Sequence, residues 1–391
     1  MPRVSIVMPN YNGAQYIKES IDSVLNQTYK DYELIIIDDC STDNSKEIIN
    51  SFSDSRIIKI FSEKNRHVAY TANLGFKSAK GEYIARIDSD DVWENDKLEK
   101  QVKYMDENPE CGACFTRVNI IDENSKKANE KYPDIDFLFN HEENKSSKEW
   151  IHYFFEKGNC LCNPSALIRT NILDKVGRNY NVACVPAQDF DMWVRLVIKA
   201  PIYILEERLT NYRWTNSEDK ISGNDASSEI AFYNIHTLIR KNIFDYMTDQ
   251  EFKEYFSDFF KNSNSSSKIE LEIEKALILL RFSDISSMRW LALEKFEKLL
   301  KYPECVEVLE TKYNFNLKEF YKLYRVSSFN DIAVLKTSSM LKEENMCLKN
   351  DIENYKLKLN EYSEELTKIV NSTSWKLTKP LRKVMSILSH K

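Results

Sequence analysis

Residues 81–93, GEYIARIDSDDVW, limit the fold of this chain more than any other stretch. Residues 83–87 are a short, mostly apolar run behind a glycine, the pattern of a buried strand. Asp88, Asp90 and Asp91 follow it directly, three carboxylates within four residues. In a parallel α/β sheet, ligands bind beyond the carboxyl ends of the strands. Carboxylates packed this closely repel unless positive charge lies between them. A hard divalent cation supplies that charge and keeps positions open for substrate phosphates. A solvated acidic turn capping the next helix would use the same residues, because Asp favours N-caps. Taken alone, the stretch leaves both readings open.

The rest of the N-terminal half alternates strands and helices. Residues 4–9 read as a first buried strand and 10–13 as a turn, after which Ile17, Ile21, Val24 and Leu25 recur at helical spacing. Residues 33–37 form a second strand ending in Asp38 and Asp39. A Ser-Thr-Asp-Asn cluster at 41–44 starts the next helix. Residues 57–61 give a third strand, 70–79 a helix, and Leu98, Val102 and Met105 the helix after the central strand. Such alternation predicts a largely parallel sheet with right-handed crossovers. The two acidic clusters then end two strands at one edge of the sheet. Neither a GxGxxG nor a GxxxxGK[ST] loop occurs, which favours phosphates held by a metal over a glycine-rich cradle.

At 391 residues the chain has room for two or three domains, and 42% hydrophobic content suits a globular core. A net charge of −6 argues against a general nucleic-acid surface. No apolar leader and no run of about 18 apolar residues is seen, so the expectation is a chain without a spanning segment. Cys111/Cys114 and Cys160/Cys162 lack a second pair at zinc spacing, and the expectation is free cytosolic thiols.

Taken together, VSIVMPNYN at 4–12, IDDCSTD at 37–43, Asn73 and Gly75, GEYI at 81–84, DSDDVW at 88–93 and QDFDMWVRL at 188–196 resemble the family 2 glycosyltransferases, which are inverting enzymes with the GT-A fold. The order and spacing match across roughly residues 1–220. The resemblance implies an α/β, Rossmann-like, mixed and mostly parallel sheet with flanking helices. It also implies a nucleotide-sugar donor, a UDP-sugar foremost, with Mg2+ or Mn2+ as cofactor. Tyr11 would lie on the base, Asp39 would hydrogen-bond it, and Asp38 would lie beside it. Asp90 would bind the metal, with Asp88 near the metal or the ribose. Pro9, Asn73, Arg213 and Trp214 complete the implied substrate contacts. The general base implied is Asp189, which would take the acceptor hydroxyl proton. Asp191 is read as a structural or acceptor-side residue. The elementary chemistry agrees: an aromatic face stacks on a base, and a cation neutralises charge on a departing diphosphate.

Three departures from the family pattern stand out. Gln188 replaces a common Glu before the base. Ala72 replaces an Arg before Asn73, so Arg66 or Arg86 is expected to help hold the diphosphate. Thr215 replaces a frequent His in the closing loop YRWT at 212–215, and Thr210 replaces the Gln of the processive Gln-x-x-Arg-Trp motif. The expectation is an enzyme that adds one sugar per encounter.

Four divisions are expected: 1–225 for the catalytic domain, 226–335 helical, 336–371 coiled coil, and 372–391 a basic amphipathic tail. Leu341, Leu348, Tyr355, Tyr362 and Ile369 recur at seven, and Asn345, Ile352, Leu359 and Leu366 fill a second seam. A homodimer through this coiled coil is one expectation; a helix folded back on the protein is the other. The tail has no acid after Glu365 and suits an anionic membrane surface. Its STSWKLTKPLRK resembles a tail of bacterial surface-polysaccharide glycosyltransferases. The implied setting is cytoplasmic, peripheral at the inner face of the membrane, with a saccharide or lipid-linked saccharide acceptor in polysaccharide or lipopolysaccharide assembly. A nucleotidyltransferase and a non-catalytic scaffold are the alternatives. The first wants a basic glycine-rich loop that 10–13 is not. The second has no need of Asp39, Asp90 and Asp189 together.

Overall fold

The computed structural model describes residues 1–215, 226–282, 286–326, 332–378 and 380–382. The boundary expected near residue 225 and half of the basic tail, Lys379 and 383–391, lie outside the described residues. The first compact unit spans 1–329 and the second 330–391.

Four strands follow the expected alternation: β1 (Val4–Asn10), β2 (Tyr32–Asp38), β3 (Ile57–Phe61) and β4 (Tyr83–Arg86) pair in parallel in the order β3-β2-β1-β4. Between them run α1 (Ile17–Leu25), α2 (Ser45–Ser51) and α3 (His67–Ser78). β1, β2 and β4 are buried along their whole length, which accounts for their unbroken apolar runs. Gly75 lets α3 lie flat on the sheet, since a Cβ there would stand 2.4 Å from Val7 and 2.7 Å from Ile37.

Beyond β4 the sheet turns mixed. Two short strands, β5 (Val92–Trp93) and β7 (Leu167–Arg169), and two long ones, β6 (Ala113–Ile121) and β8 (Ile202–Arg213), extend it in the order β4-β7-β6-β8-β5. β7 pairs antiparallel with β4 and β6, and β6 runs parallel to β8 through a bulge around Arg117. The helices here are α4 (Lys97–Glu107), α5 (Pro133–Asn140), α6 (Ser147–Glu156), α7 (Thr170–Lys175) and α8 (Gln188–Lys199). The polar segment 141–146 ends in Ser146, which caps α6 through a reciprocal bond with Glu149.

Next come α9 (Ala226–Ile243), α10 (Asp249–Phe256), α11 (Lys268–Arg281), α12 (Ser286–Leu299), α13 (Pro303–Tyr313) and α14 (Leu317–Val326). Ile239 and Phe244, with Phe252 and Phe256 of α10, join the same apolar core as Trp193 and Ile168. The first of these helices therefore share the core of the sheet. A second cluster around Leu293, Phe296 and Tyr313 holds α11–α14 together.

The second unit contains α15 (Ile332–Asn371), a single 40-residue helix, and α16 (Thr373–Leu377). Ser372 caps α16 by accepting from Trp375 N. No helix among the described residues is long and apolar enough to cross a membrane. All eight cysteines are free thiols.

Candidate active site

The strand order reverses at β1: β2 and β3 follow on one side, β4 returns on the other. That switch point leaves a crevice outside the strand ends, where α/β sheets take ligands. The loop after β1 and the loop after β4 touch across it, since a Cβ on Gly13 would stand 2.2 Å from Asn10 Oδ1 and 3.0 Å from Ser89 Oγ.

On the β1/β2 side, Asp38 is buried and already occupied. Asn10 Nδ2 donates to it at 2.8 Å, Ser41 Oγ at 2.6 Å and Ser41 N at 3.0 Å. These bonds close the 39–43 loop onto β1. Asp39 is buried too, and both its oxygens accept from Arg66 N, at 3.1 and 3.0 Å. Its charge thereby lies at the start of α3, where the helix dipole favours an anion. The Arg66 side chain is exposed and lies 4.6 Å over the Tyr70 ring. Pro9 is buried in β1, whereas Tyr11 beside it is 50% exposed. Asn12, Cys40 and His67 all take positive φ, at 50°, 62° and 67°. That conformation is uncommon for residues other than glycine, and such strain gathers at ligand sites.

On the β4 side, Asp88 accepts from Arg86 Nη2 at 2.6 Å. Arg86 is fully buried, and Nη1 also donates to the carbonyls of Ile87 and Val7. A guanidinium so enclosed fixes Asp88 from below. Asp90 is half-buried, and its carbonyl accepts from Arg213 Nε at 2.7 Å. Arg213 N donates to Asp91 Oδ1 at 2.8 Å, while Nη1 and Nη2 reach Asp122 O and Glu19 Oε2, both at 2.7 Å. The side chain also stacks 4.3 Å over Tyr16. Arg213 therefore ties the end of β8 to the acidic loop, α1 and the 122–125 turn. Trp214 is buried with Val118, Ile120 and Cys162. Asn73 exchanges two bonds with the Tyr180 backbone, at 2.9 and 2.7 Å, which locks α3 to the segment leading into α8.

α8 opens on Gln188 and carries Asp189 and Asp191 in its first turn. Asp191 is buried, accepts from Arg195 Nε at 2.9 Å and from the Tyr246 hydroxyl, and so packs inward. Asp189 is half-buried and close enough to Asp88 and Arg86 to feel both charges. Among side chains, Asn159 Nδ2 approaches it at 3.4 Å. Burial raises its pKa to about 6 against backbone N–H bonds from Phe190 and its own amide; the Asp88 carboxylate adds to the rise and Arg86 opposes it. Beneath these groups the buried Cys162 thiol is held neutral by burial and by Asp91, Asp88 and Asp189 together. Asp91, Asp88 and Asp189 therefore all lie in the neighbourhood of this one buried thiol.

Among the described residues, no group of three or more His, Cys, Asp or Glu is placed to hold a metal by itself. The donor set still fits a hard cation whose remaining ligands come from a diphosphate and water, as Mg2+ and Mn2+ sites with one or two carboxylates do. Asp88 has one oxygen on Arg86, and Asp90 lies two residues on at the rim.

Several residues that shape this site have no local sequence signal. Asn159 lies 30 positions from Asp189, Tyr180 107 positions from Asn73, and Glu19 194 positions from Arg213. Only the folded topology brings them together.

A half-parallel sheet with an acidic switch point, an acid on a facing helix and a mixed second half is the GT-A arrangement of glycosyltransferases. TarS of S. aureus, residues 1–349 in complex with UDP-GlcNAc, has this fold, with a TM-score of 0.51 and 20% identity over 80% of this chain and 91% of that one. The family model described as Glycosyl transferase family 2 matches residues 5–177. The uncharacterized glycosyltransferase MJ1057 of Methanocaldococcus jannaschii is 35% identical over 241 residues, 60% of this chain and 79% of that protein. The Escherichia coli enzyme WfgD, UDP-Glc:alpha-D-GlcNAc-diphosphoundecaprenol beta-1,3-glucosyltransferase, is 43% identical over 122 residues, 31% of this chain and 48% of its own length. The chain thus spans about half of WfgD. It belongs to glycosyltransferase family 2 and is a glycosyltransferase.

Proposed function

We propose that this chain transfers one sugar per encounter from a nucleoside diphosphate sugar, with a UDP-sugar as the first choice, to an acceptor hydroxyl with inversion. The observation that carries the reading is Asp189: an acid on the first turn of α8, facing Asp88 and raised to about 6. A base with that pKa is ionised at neutral pH yet still basic enough to take a proton. Asp189 accepts the hydroxyl proton as the acceptor oxygen bonds to the anomeric carbon. The bond to the diphosphate breaks on the opposite face, and the nucleoside diphosphate leaves. Tyr11 is exposed at the end of β1 and offers a ring to the base, with Asp39 beside it. Asp90 and Asp88 are the residues that would hold Mg2+ or Mn2+, which when bound neutralises charge on the leaving diphosphate. Arg66, exposed at the start of α3, is better placed than the enclosed Arg86 to meet a phosphate.

For the acceptor we favour a saccharide or lipid-linked saccharide of bacterial surface polysaccharide, at the inner face of the cytoplasmic membrane. WfgD, by its name, acts on a diphosphoundecaprenol-linked sugar, and the tail of this chain is basic. The direct test is a panel of nucleotide sugars scored for slow hydrolysis and for binding, with Mn2+, with Mg2+ and in excess EDTA. Turnover confined to one donor and lost in EDTA is expected; undiminished turnover in EDTA removes the metal from the proposal. Deleting residues 372–391 is expected to release the chain from anionic vesicles at low salt without altering donor hydrolysis. Equal sedimentation of both forms removes the membrane.

A further inference from the structure

From residue 345 onward α15 carries a continuous exposed apolar seam. Leu348, Tyr355, Tyr362 and Ile369 lie on one line, and Ile352, Leu359 and Leu366 on the next, with exposures from 49% at Ile369 to 71% at Tyr355. Three other large apolar side chains of this stretch are exposed, Met346, Leu357 and Val370, and they lie off the seam. From 345 to 369 the seam runs about 36 Å along the helix. A stripe that long is rare on a surface that stays in water.

Its flanks identify what covers it. With Leu348, Tyr355, Tyr362 and Ile369 at the d positions of a heptad, Asn345, Ile352, Leu359 and Leu366 take the a positions. The e positions are then Lys342, Lys349 and Lys356, followed by Ser363 and Val370. The g positions are Glu344, Asp351, Lys358 and Glu365. In a parallel, in-register pair each g residue faces the e residue five positions later on the other copy. Glu344 then meets Lys349 and Asp351 meets Lys356, each twice by symmetry, and no like charges face each other. Turned end for end with full overlap, the same pair sets Lys356 against Lys356 and Asp351 beside Glu365. A polar Asn at one a position also fixes register.

We infer that α15 forms a parallel, in-register, two-stranded coiled coil with a second copy of this chain. The dimer presents both 372–391 segments from the same end, so any surface met by one tail is met by two.

The test uses the full chain. In a Cys347→Ser background, which removes the exposed thiol of α15, Leu366→Cys is incubated with glutathione disulfide. In register, Cys side chains at an a position meet and a disulfide-linked dimer forms. In an antiparallel pair they stand about 27 Å apart and do not cross-link. Leu357→Cys, off the seam, stays monomeric on denaturing gels. Sedimentation equilibrium of the unmodified chain is expected to give twice 46.0 kDa. Lys349→Glu with Lys356→Glu is expected to raise the dimer dissociation constant roughly 30-fold, through four lost pairs and four new repulsions. Adding Glu344→Lys and Asp351→Lys restores it, which a merely misfolded helix would not do. A monomer or trimer mass, a dimer without the Leu366→Cys cross-link, or no rescue by the exchanged charges overturns the inference.

Discussion

The two sides of the crevice use the same residue type in opposite ways. At the end of β2, Asp38 is filled by three donors from Asn10 and Ser41, and Asp39 by the amide of Arg66. Across the gap, Asp189 has one long side-chain bond and a pKa raised to about 6. Two residues further along α8, Asp191 repeats the first pattern, enclosed by Arg195 and Tyr246. A carboxylate given several short donors is stabilised as a charge and braces the fold. One left with few donors in a desolvated position is held at higher energy, and that energy is available to a proton or a cation. By hydrogen-bond saturation Asp38 and Asp191 group together and Asp189 stands apart.

The contrast breaks first at Asp90. Asn there keeps the size and the backbone bond from Arg213 but removes the charge a hard cation needs. Transfer is expected to fall by several kcal/mol, on the order of 10³-fold, with the thermal midpoint unchanged. Normal transfer, or a loss matched by unfolding, would return Asp90 to the scaffold class. Asp189→Asn comes next. Turnover is expected to drop about 10²- to 10⁴-fold while donor affinity, measured by calorimetry, stays near wild type, because the base meets the acceptor. Wild-type turnover is expected to rise with pH through about 6 and then level, since the ionised carboxylate is the active form. A parallel loss of donor affinity would make Asp189 a donor-side group.

Asp191→Asn is the matched control on the same helix. It removes one partner of a buried ion pair and leaves the Arg195 guanidinium with the carbonyls of Val176, Gly177 and Asn179. Losing a buried partner costs about 3–5 kcal/mol, and these carbonyls place the expected loss near 3 kcal/mol, read by urea denaturation. Turnover per folded molecule is expected to change far less than in Asp189→Asn. If activity collapses without destabilisation, saturation is not the criterion that sorts these acids.

Much of the first half of the sheet was legible from residue type alone. β1, β2 and β4 are buried on both faces and read as apolar runs, and the strand order placed their acidic ends together. β8 escaped notice for a physical reason. Glu206, Glu207 and Arg208 are exposed in its middle, where the register with β6 slips, so the strand shows no clean alternation. β5 and β7, at two and three residues, are too short to carry a period. Within the site, motif spacing picks out Asp189 and the 88–91 acids but says nothing of their bonding. Arg213 and Asn73 were expected at substrate, and the structure shows each holding protein groups from distant segments. Which partners fill a polar side chain is a property of topology, and sequence spacing does not encode it.

The smallest expected effect tests the comparison from the side of stability. Asp189 ionises with a folded pKa of about 6 against an ordinary 3.8. A carboxyl raised in this way favours the folded state while it is neutral. The contribution is complete below the unfolded pKa and is lost as pH climbs from about 4 through about 6. At pH 8 the ionised carboxylate costs the fold at most about 3 kcal/mol, less whatever solvent at the crevice screens. Asp189→Asn stays uncharged throughout, so it is expected to be more stable than wild type at pH 8, by about 1–3 kcal/mol. The two proteins converge near pH 4. Asp38→Asn is expected to lose stability, because an amide cannot accept from Asn10 and Ser41 through both of its terminal atoms as the carboxylate does. Urea denaturation of the three proteins at both pH values reads the difference. If Asp189→Asn gains nothing at pH 8, the start of α8 does not hold its acid at raised energy, and the two sides of the crevice differ only in their hydrogen-bond lists.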